Sequence, residues 1–158
     1  MTSVPLRFSR MLTALVAATL LVTLLPAAHA AADNREAHVI RQRMEYLVNR
    51  TRARHNLGRL RVSDLTHDYA RAHALQMRDA RTIFHDANLA HEIPRGSVAW
   101  GENVGYTNAH RAAKRLHRLF MASSGHRANI LSSRYTRLGF GVAKDGDTAY
   151  VVERFFDR

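Results

Sequence analysis

The chain has 158 residues, a length that suits one domain with a short appendage. It contains no cysteine, which excludes disulfide scaffolds, thiolate zinc sites and cysteine nucleophiles. Hydrophobic residues make up 46% and charged residues 23%, a composition typical of globular proteins. The formal net charge of +11 predicts attraction to polyanions such as nucleic acid, anionic lipid head groups or an acidic cell wall.

Residues 1–30 have the pattern of a signal peptide. Arg7 and Arg10 precede an apolar run that ends at Leu25, and Ala28-His29-Ala30 fits a signal-peptidase site. The apolar run, about 15 residues long, is short for a membrane span, although an uncleaved N-terminal anchor is the alternative. The pattern therefore predicts a secreted protein, either extracellular or associated with the cell envelope, and secretion argues against a nucleic-acid partner.

Two helices are predicted in the first half of the remaining chain. Apolar residues at spacings of three and four predict an amphipathic helix over roughly residues 35–55. A second helix is predicted to begin near Ser63-Asp64, with Ser63 as its N-cap. Its predicted apolar stripe consists of Leu65, Tyr69, Ala70, Ala74 and Met77.

The second half of the chain contains a loop, two helices and most of the strands. Residues 82–100 are aperiodic and predict a long loop, of a length that is usually functional or disordered. The Asp145-Gly146 step lies between two strand-like runs and predicts a hairpin. In chain order the patterns predict a short strand over 103–106, a helix over 108–122, a short helix over 124–131, and strands over 138–143 and 149–155. These elements predict an α+β fold with helices packed on a small antiparallel sheet.

Four short motifs carry a family resemblance. They are Phe84-His85, Gly101-Glu102-Asn103-Val104, Gly125-His126-Arg127-Ala128-Asn129-Ile130-Leu131 and Leu138-Gly139-Phe140-Gly141-Val142-Ala143. Their order and spacing resemble the CAP superfamily, also called SCP or TAPS, which includes cysteine-rich secretory proteins, antigen 5 and plant pathogenesis-related 1 proteins. The similarity is to its cysteine-free bacterial branch. It implies a CAP/SCP domain over residues 31–158, folded as a three-layer α-β-α sandwich with a cleft lined by two histidines and acidic residues.

Carried over position by position, the resemblance places His85, Glu102 and His126 in that cleft. Family members with the full set have a second acidic residue just before the Gly-His step, where this chain has Ser123. The implied ligand-binding cleft is therefore His85, Glu102, Ser123 and His126, with one carboxylate fewer than the full set.

The chemistry of His85, Glu102 and His126 is compatible with three roles. Two neutral imidazoles and a carboxylate suit a divalent cation such as zinc, and three protein ligands leave a position for water or substrate. Without a metal, Glu102 could orient one imidazole as a carboxylate does for a general base. The three residues could also form only a hydrogen-bonded brace. No catalytic residue is assigned.

Three functions stay open at this level. The first is an extracellular binding module that holds a small apolar ligand, such as a lipid, or a divalent metal in the cleft. The second is a metal-dependent extracellular hydrolase that uses His85, Glu102 and His126. The third is a basic envelope protein with a purely structural cleft, bound to an anionic cell-wall polymer or membrane surface. We favour the first, as a monomer, over an enzyme, and the hydrolase stays open as the alternative.

Two groups of basic residues bear on the third function. Each could be a solvated face that keeps the protein soluble or a surface that adheres to an anionic polymer. The first group is Arg50, Arg52, Arg54, Arg59 and Arg61, and the second is Arg111, Lys114, Arg115 and Arg118.

Overall fold

The structure is a computed structural model that describes residues 9–108 and 111–158, with side chains from Ala30 onward. Its elements are α1 (Ser9–Arg54), β1 (Arg61–Val62), α2 (Asp64–Ala80), α3 (Leu89–Glu92), β2 (Trp100–Thr107), α4 (Ala112–Ala122), α5 (Ser124–Leu131), β3 (Arg137–Asp145) and β4 (Thr148–Phe156). The chain divides between Ala32 and Asp33, and the domain described below is Asp33–Arg158. The predicted signal peptide, residues 1–30, falls almost wholly outside the residues with described side chains and stays a prediction.

Four strands form one sheet in the order β1-β3-β4-β2. Strands β2, β3 and β4 pair antiparallel, and β3 and β4 form the predicted hairpin, whose turn contains Gly146 in the left-handed region. The sheet is mixed rather than purely antiparallel, because β1 pairs with β3 in parallel. Two residues are too few to show an alternating pattern, which is why β1 was not predicted. Strand β2 lies at an edge of the sheet.

Helix α2 packs on one face of this sheet. Ser63 caps it as predicted, since its Oγ accepts a hydrogen bond from the N–H of Thr66 at 3.4 Å. Gly141 of β3 lies directly under the helix, where a Cβ would come within 1.9 Å of the carbonyl oxygen of Ala70. The absence of a side chain at Gly141 therefore allows the helix and the strand to approach each other closely.

The stripe predicted for α2 is wrong at two positions. Leu65 and Tyr69 are exposed, whereas Thr66 and His73 are buried. The sheet facing α2 has glycines, so the buried helix face is chosen by close approach rather than by hydropathy alone. His73 is satisfied there because its Nε2 lies 2.9 Å from the carbonyl oxygen of Phe84.

The opposite face carries the larger core, formed by α1, α4 and α5 against the sheet. Its buried members include Ile40, Met44 and Val48 of α1, Leu116 and Phe120 of α4, Ile130 of α5, and Leu138, Phe140, Val151 and Phe155 of the strands. The layers are thus α2, the sheet, and the α1-α4-α5 group, which confirms the predicted three-layer α-β-α sandwich. In the described residues, no helix is both long and apolar enough to cross a membrane.

Several predicted boundaries differ from the structure. The loop predicted over 82–100 contains the single-turn helix α3 and ends where β2 begins at Trp100. Helix α4 begins at Ala112 instead of residue 108, and α1 extends far upstream of residue 35. Apolar periodicity locates the buried centre of an element better than its ends, because terminal residues have weaker burial constraints.

Arg52 is part of the core rather than of a basic surface. It is 2% exposed, and its guanidinium donates to the carbonyl oxygens of Gly58 and Ser132 at 2.8 Å and of Ile130 at 2.9 Å, with a longer bond to Tyr135. Burial lowers the pKa of Arg52. Its inclusion among the surface arginines is therefore corrected, while the other four members of that group are exposed.

Candidate functional site

His85 and Glu102 form the centre of the candidate site, at the β2 edge of the sheet. His85 lies in the loop after α2, and its side chain is 64% exposed, whereas that of Glu102 is 2% exposed. The Nδ1–H of His85 donates to Glu102 Oε1 at 2.9 Å, and the N–H of Asp86 donates to the same oxygen at 3.1 Å. Glu102 thus fixes the orientation of His85 through Nδ1, and Nε2 is the ring nitrogen that points away from Glu102.

Arg154 anchors Glu102 through the carboxylate oxygen that does not contact His85. The guanidinium is fully buried, and its Nε donates to Glu102 Oε2 at 3.1 Å. Its two other nitrogens donate to the carboxylates of Asp86 and Glu92. Burial alone would lower the pKa of Arg154, but the bonds to Glu92 and Asp86 and the charge of Glu102 raise it. One cation therefore offsets part of the charge of three carboxylates and ties the His85 loop to the centre of the sheet.

His126 lies in the first turn of α5, within range of an electrostatic effect of His85. Its ring packs edge-on against Phe120, with the ring centroids 4.9 Å apart. Burial, and secondarily the charge of His85, lowers the pKa of His126. The two histidines are therefore close enough to interact electrostatically, and His126 is neutral at pH 7, as a metal ligand or a proton acceptor must be.

A buried amide network supports the backbone of His126. Asn103 Nδ2 donates to the carbonyl oxygen of His126 at 3.2 Å and to Glu153 Oε2 at 2.9 Å. Asn129 Nδ2 donates to Asn103 Oδ1 at 2.9 Å and to the carbonyl oxygen of Glu102 at 3.2 Å. Asn103 and Asn129 therefore link strand β2 to helix α5.

Glu153 is the one group of this network whose ionisation is strongly perturbed. It is fully buried, and burial raises its pKa to about 8 in spite of the hydrogen bond from Asn103. Its Oε1 has no hydrogen-bond partner. The carboxyl group is therefore mostly protonated at pH 7, because an unpaired charge would be costly in this position.

Ser123 has a backbone role in the described structure. It joins α4 to α5, where its N–H donates to the carbonyl oxygens of Leu119 and Phe120 and its own carbonyl oxygen accepts from Arg127. Its side chain makes no capping hydrogen bond. The structure thus places Ser123 three residues before His126, without a side-chain bond to the cleft residues.

The sequence prediction named His85, Glu102 and His126 but missed Arg154, Asp86, Glu92, Asn103 and Asn129. One signal was available: Glu153 and Arg154 are two charged residues inside the otherwise apolar run 149–156. In the sheet they pair with Asn103 and Glu102, respectively. Charged residues in a central strand need partners, so a correct strand register would have found both pairs.

The predicted three-ligand metal set does not fit this arrangement. Both oxygens of Glu102 already accept hydrogen bonds, from His85 and Asp86 on one side and from Arg154 on the other. Among residues 9–108 and 111–158, no group of three His, Cys, Asp or Glu side chains is placed to hold a metal ion. The arrangement suits a carboxylate that supports a metal-binding histidine without touching the metal.

A second feature, the α1–α4 groove, lies on the larger-core face. It has a volume of about 440 Å³. Its lining consists of Glu36, Val39, Ile40, Arg43, Arg111, Ala112, Ala113 and Lys114. Four of these residues are apolar and three are basic, so the groove combines an apolar wall with a cationic rim. The sequence analysis did not identify it, because its residues come from two segments about 70 positions apart whose proximity depends on helix packing.

Comparison with known proteins gives a consistent assignment of the fold. The model of the CAP family, described as the cysteine-rich secretory protein family, matches residues 45–155. No curated protein matches the sequence significantly. Among solved structures, an extracellular protein containing an SCP domain from Bacillus anthracis is 26% identical, with a TM-score of 0.69. The match covers 80% of this chain and 43% of that protein.

Two further structures share the fold at lower identity. A cysteine-rich secretory protein from Staphylococcus aureus is 21% identical with a TM-score of 0.64, and the match covers 77% of this chain and 40% of that one. An outer surface protein from Borrelia burgdorferi is 17% identical with a TM-score of 0.64, over 72% of this chain and 89% of that one. The chain therefore spans less than half of the Bacillus and Staphylococcus proteins.

Proposed function

Because the chain belongs to the CAP family of cysteine-rich secretory proteins, we propose that it is a secreted binding module that holds an anionic, lipid-like ligand in the α1–α4 groove. Secretion is supported by the signal-peptide pattern of residues 1–30 and by neighbours described as extracellular or outer surface proteins. The observation that carries the ligand class is the apolar wall of the groove beside its cationic rim.

The groove favours an amphiphile for two physical reasons. Its volume of about 440 Å³ lies within the range of about 300–1,000 Å³ found for small-molecule sites. Each methylene group buried against the apolar wall contributes about 0.8 kcal/mol. Arg43, Arg111 and Lys114 exceed the single acidic residue, Glu36, so a carboxylate or phosphate head group is preferred over a neutral or cationic one.

Displacement of a fluorescent long-chain fatty acid tests this proposal. Val39→Glu puts a charge on the apolar wall, and we expect binding to weaken by at least about tenfold. Leu65→Glu is the matched control, since Val39 is 57% and Leu65 56% exposed and Leu65 lies on α2 at the opposite face. Equal affinity of the two variants for the fatty acid would rule out the groove as the binding site.

A second candidate function is binding of a divalent cation between His85 and His126. It is supported by the His85–Glu102 bond, which occupies Nδ1 and directs Nε2 away from Glu102, and by the lowered pKa of His126. In this version the two imidazoles and solvent hold the cation, and Glu102 supports His85. A bound cation would supply Lewis-acid chemistry, so the hydrolase alternative depends on it.

Calorimetric titration of Zn²⁺ into metal-stripped protein at pH 7 tests the cation candidate. One saturable site is expected, and it is lost in the His85→Ala/His126→Ala variant. His91→Ala is the control, because His91 is an exposed histidine on the neighbouring helix α3. If His91→Ala lowers the affinity as much as the double variant, binding is non-specific. Turnover of a peptide or ester substrate that needs Zn²⁺ and both histidines would favour the hydrolase.

The exposed arginines support attachment to an anionic envelope polymer or membrane surface as a further part of the proposal. Eight of the nine basic residues named in the two sequence groups are exposed, the exception being the buried Arg52. Attachment through them depends on salt, because exposed charges are screened over about 10 Å at 0.1 M salt. Binding to purified cell walls that is equal at low and high salt would exclude this mode.

A further inference from the structure

A small cavity lies between α1 and α2 beside strand β3, away from the edge strand β2 that carries Glu102. It is lined by Ala37, His38 and Arg41 of α1, His67 and Arg71 of α2, and Val142 of β3. His38 and Arg41 are three residues apart and His67 and Arg71 four apart, so each pair shares one helix face. The volume is about 90 Å³, which excludes a drug-sized ligand and suits a single small group.

The polar lining of this α1–α2 cavity is entirely histidine and arginine. Arg41 Nη2 lies 3.2 Å from His38 Nδ1, and Arg71 Nη2 lies 3.5 Å from the neutral amide oxygen of Asn34. Within the described residues, neither guanidinium has a carboxylate as a salt-bridge partner. Two arginines that converge without a carboxylate leave their donors available to an anion.

His67 supplies a further indication of uncompensated positive charge at the cavity. Its Nδ1 is buried and has no hydrogen-bond partner. Burial and the charge of Arg41 lower the pKa of His67, against the opposing effects of the Phe140 backbone and of Asp68 and Asp64. After burial, the uncompensated charge of Arg41 is thus the main factor that disfavours a second proton on His67, and an anion in the cavity would offset it.

We propose that the α1–α2 cavity binds a phosphate group. Arg41 and Arg71 would donate to its oxygens from two helices, and its negative charge would offset the positive charge beside His67. A tetrahedral oxyanion has acceptors in several directions, so it can satisfy donors that converge from different elements. The group could be inorganic phosphate, a phosphodiester of an anionic polymer or a phospholipid head group.

Calorimetric titration of inorganic phosphate into the full chain, at pH 7 and constant ionic strength, tests the proposal. One saturable site is expected, and Arg41→Gln and Arg71→Gln each weaken it by about tenfold or more. Arg118→Gln is the matched control, because it removes the same charge from an exposed position on α4. The ring signals of His67 give a second readout: its pKa, followed by NMR, shifts upward when phosphate is bound.

Parallel titrations with glycerol phosphate diester and with vesicles containing phosphatidylglycerol distinguish the sources. Binding of all three probes that depends on Arg41 and Arg71 supports recognition of the phosphate group itself, and binding of the vesicles alone assigns the cavity to a lipid head group. The proposal is overturned if no probe binds saturably, or if Arg118→Gln weakens binding as much as Arg41→Gln. Far-ultraviolet circular dichroism and thermal midpoints verify that each variant is folded.

Discussion

Arg154 Nε lies 3.1 Å from Glu102 Oε2, so the carboxylate that orients His85 is itself anchored by a guanidinium in the interior of the sheet. The two residues face each other in the antiparallel register of β2 and β4. The orientation of the exposed histidine therefore depends on a strand pair as well as on its own loop.

Replacement of Arg154 by methionine is expected to lower the free energy of unfolding by about 3–5 kcal/mol, because Glu102 loses its counter-ion in a buried position. Urea unfolding at pH 7 measures the loss. Arg95→Met is the control at an exposed arginine and should stay within about 0.5 kcal/mol of the native chain. A loss below about 1 kcal/mol for Arg154→Met would mean that the three carboxylates do not depend on it.

Glu153 predicts that stability falls as the pH rises from about 4.5 to about 8. Its pKa is about 8 in the folded protein against 4.5 for the free group, so the folded state binds the extra proton between these values. Stability is then greatest near the lower value and decreases as the pH rises through about 8. The lowered pKa values of His67, His117 and His126 act in the opposite direction, but only below about pH 6.5.

The variant Glu153→Gln keeps the shape of the side chain and removes the ionisation. Thermal midpoints measured between pH 6.5 and 8.5 should decline in the native chain and remain flat in the variant. A parallel decline in both proteins would assign the pH dependence to other groups.

Arg52 and Arg54 lie two residues apart on α1 but should respond very differently to mutation. Arg52→Met leaves several buried carbonyl oxygens without donors, and a loss of about 3 kcal/mol or more is expected. Arg54→Met removes the same charge from an exposed position and should change stability by less than about 0.5 kcal/mol. Chemical denaturation of the two variants separates the contribution of the Arg52 hydrogen bonds from a general effect of lost charge. Similar losses of stability in both variants would contradict a specific role of Arg52 in the fold.

Gly141→Ala tests the close approach of α2 to the sheet. A Cβ at this position meets the backbone of Ala70, so α2 has to move away from β3, at a cost of about 3 kcal/mol or more. Gly125→Ala on α5 meets nothing within 4 Å and should be neutral or stabilising by up to about 1 kcal/mol. Equal thermal midpoints for the two variants would show that the helix and strand are not in tight contact in solution.

The sequence predicted the layers and the hairpin, because these depend on local periodicity and on the Asp145-Gly146 turn. It named His85, Glu102 and His126 as candidate cleft residues through a family resemblance, and their role stays a prediction. It did not predict that Glu102 is shared between His85 and Arg154, since that depends on the register of two strands 52 positions apart. Leu65 and Arg52 mark the same limit: hydropathy predicts average burial, whereas the actual burial depends on which face another element covers.

Glu102 and Asn103 are consecutive residues of β2, so their side chains point to opposite faces of the sheet. One is bonded to the ring of His85 and the other to the backbone of His126. Both histidines are thus held by adjacent residues of one strand. The positions of both histidines therefore depend on the pairing of β2 with β4, and a disruption of that pairing would displace the ring of His85 and the backbone of His126 together.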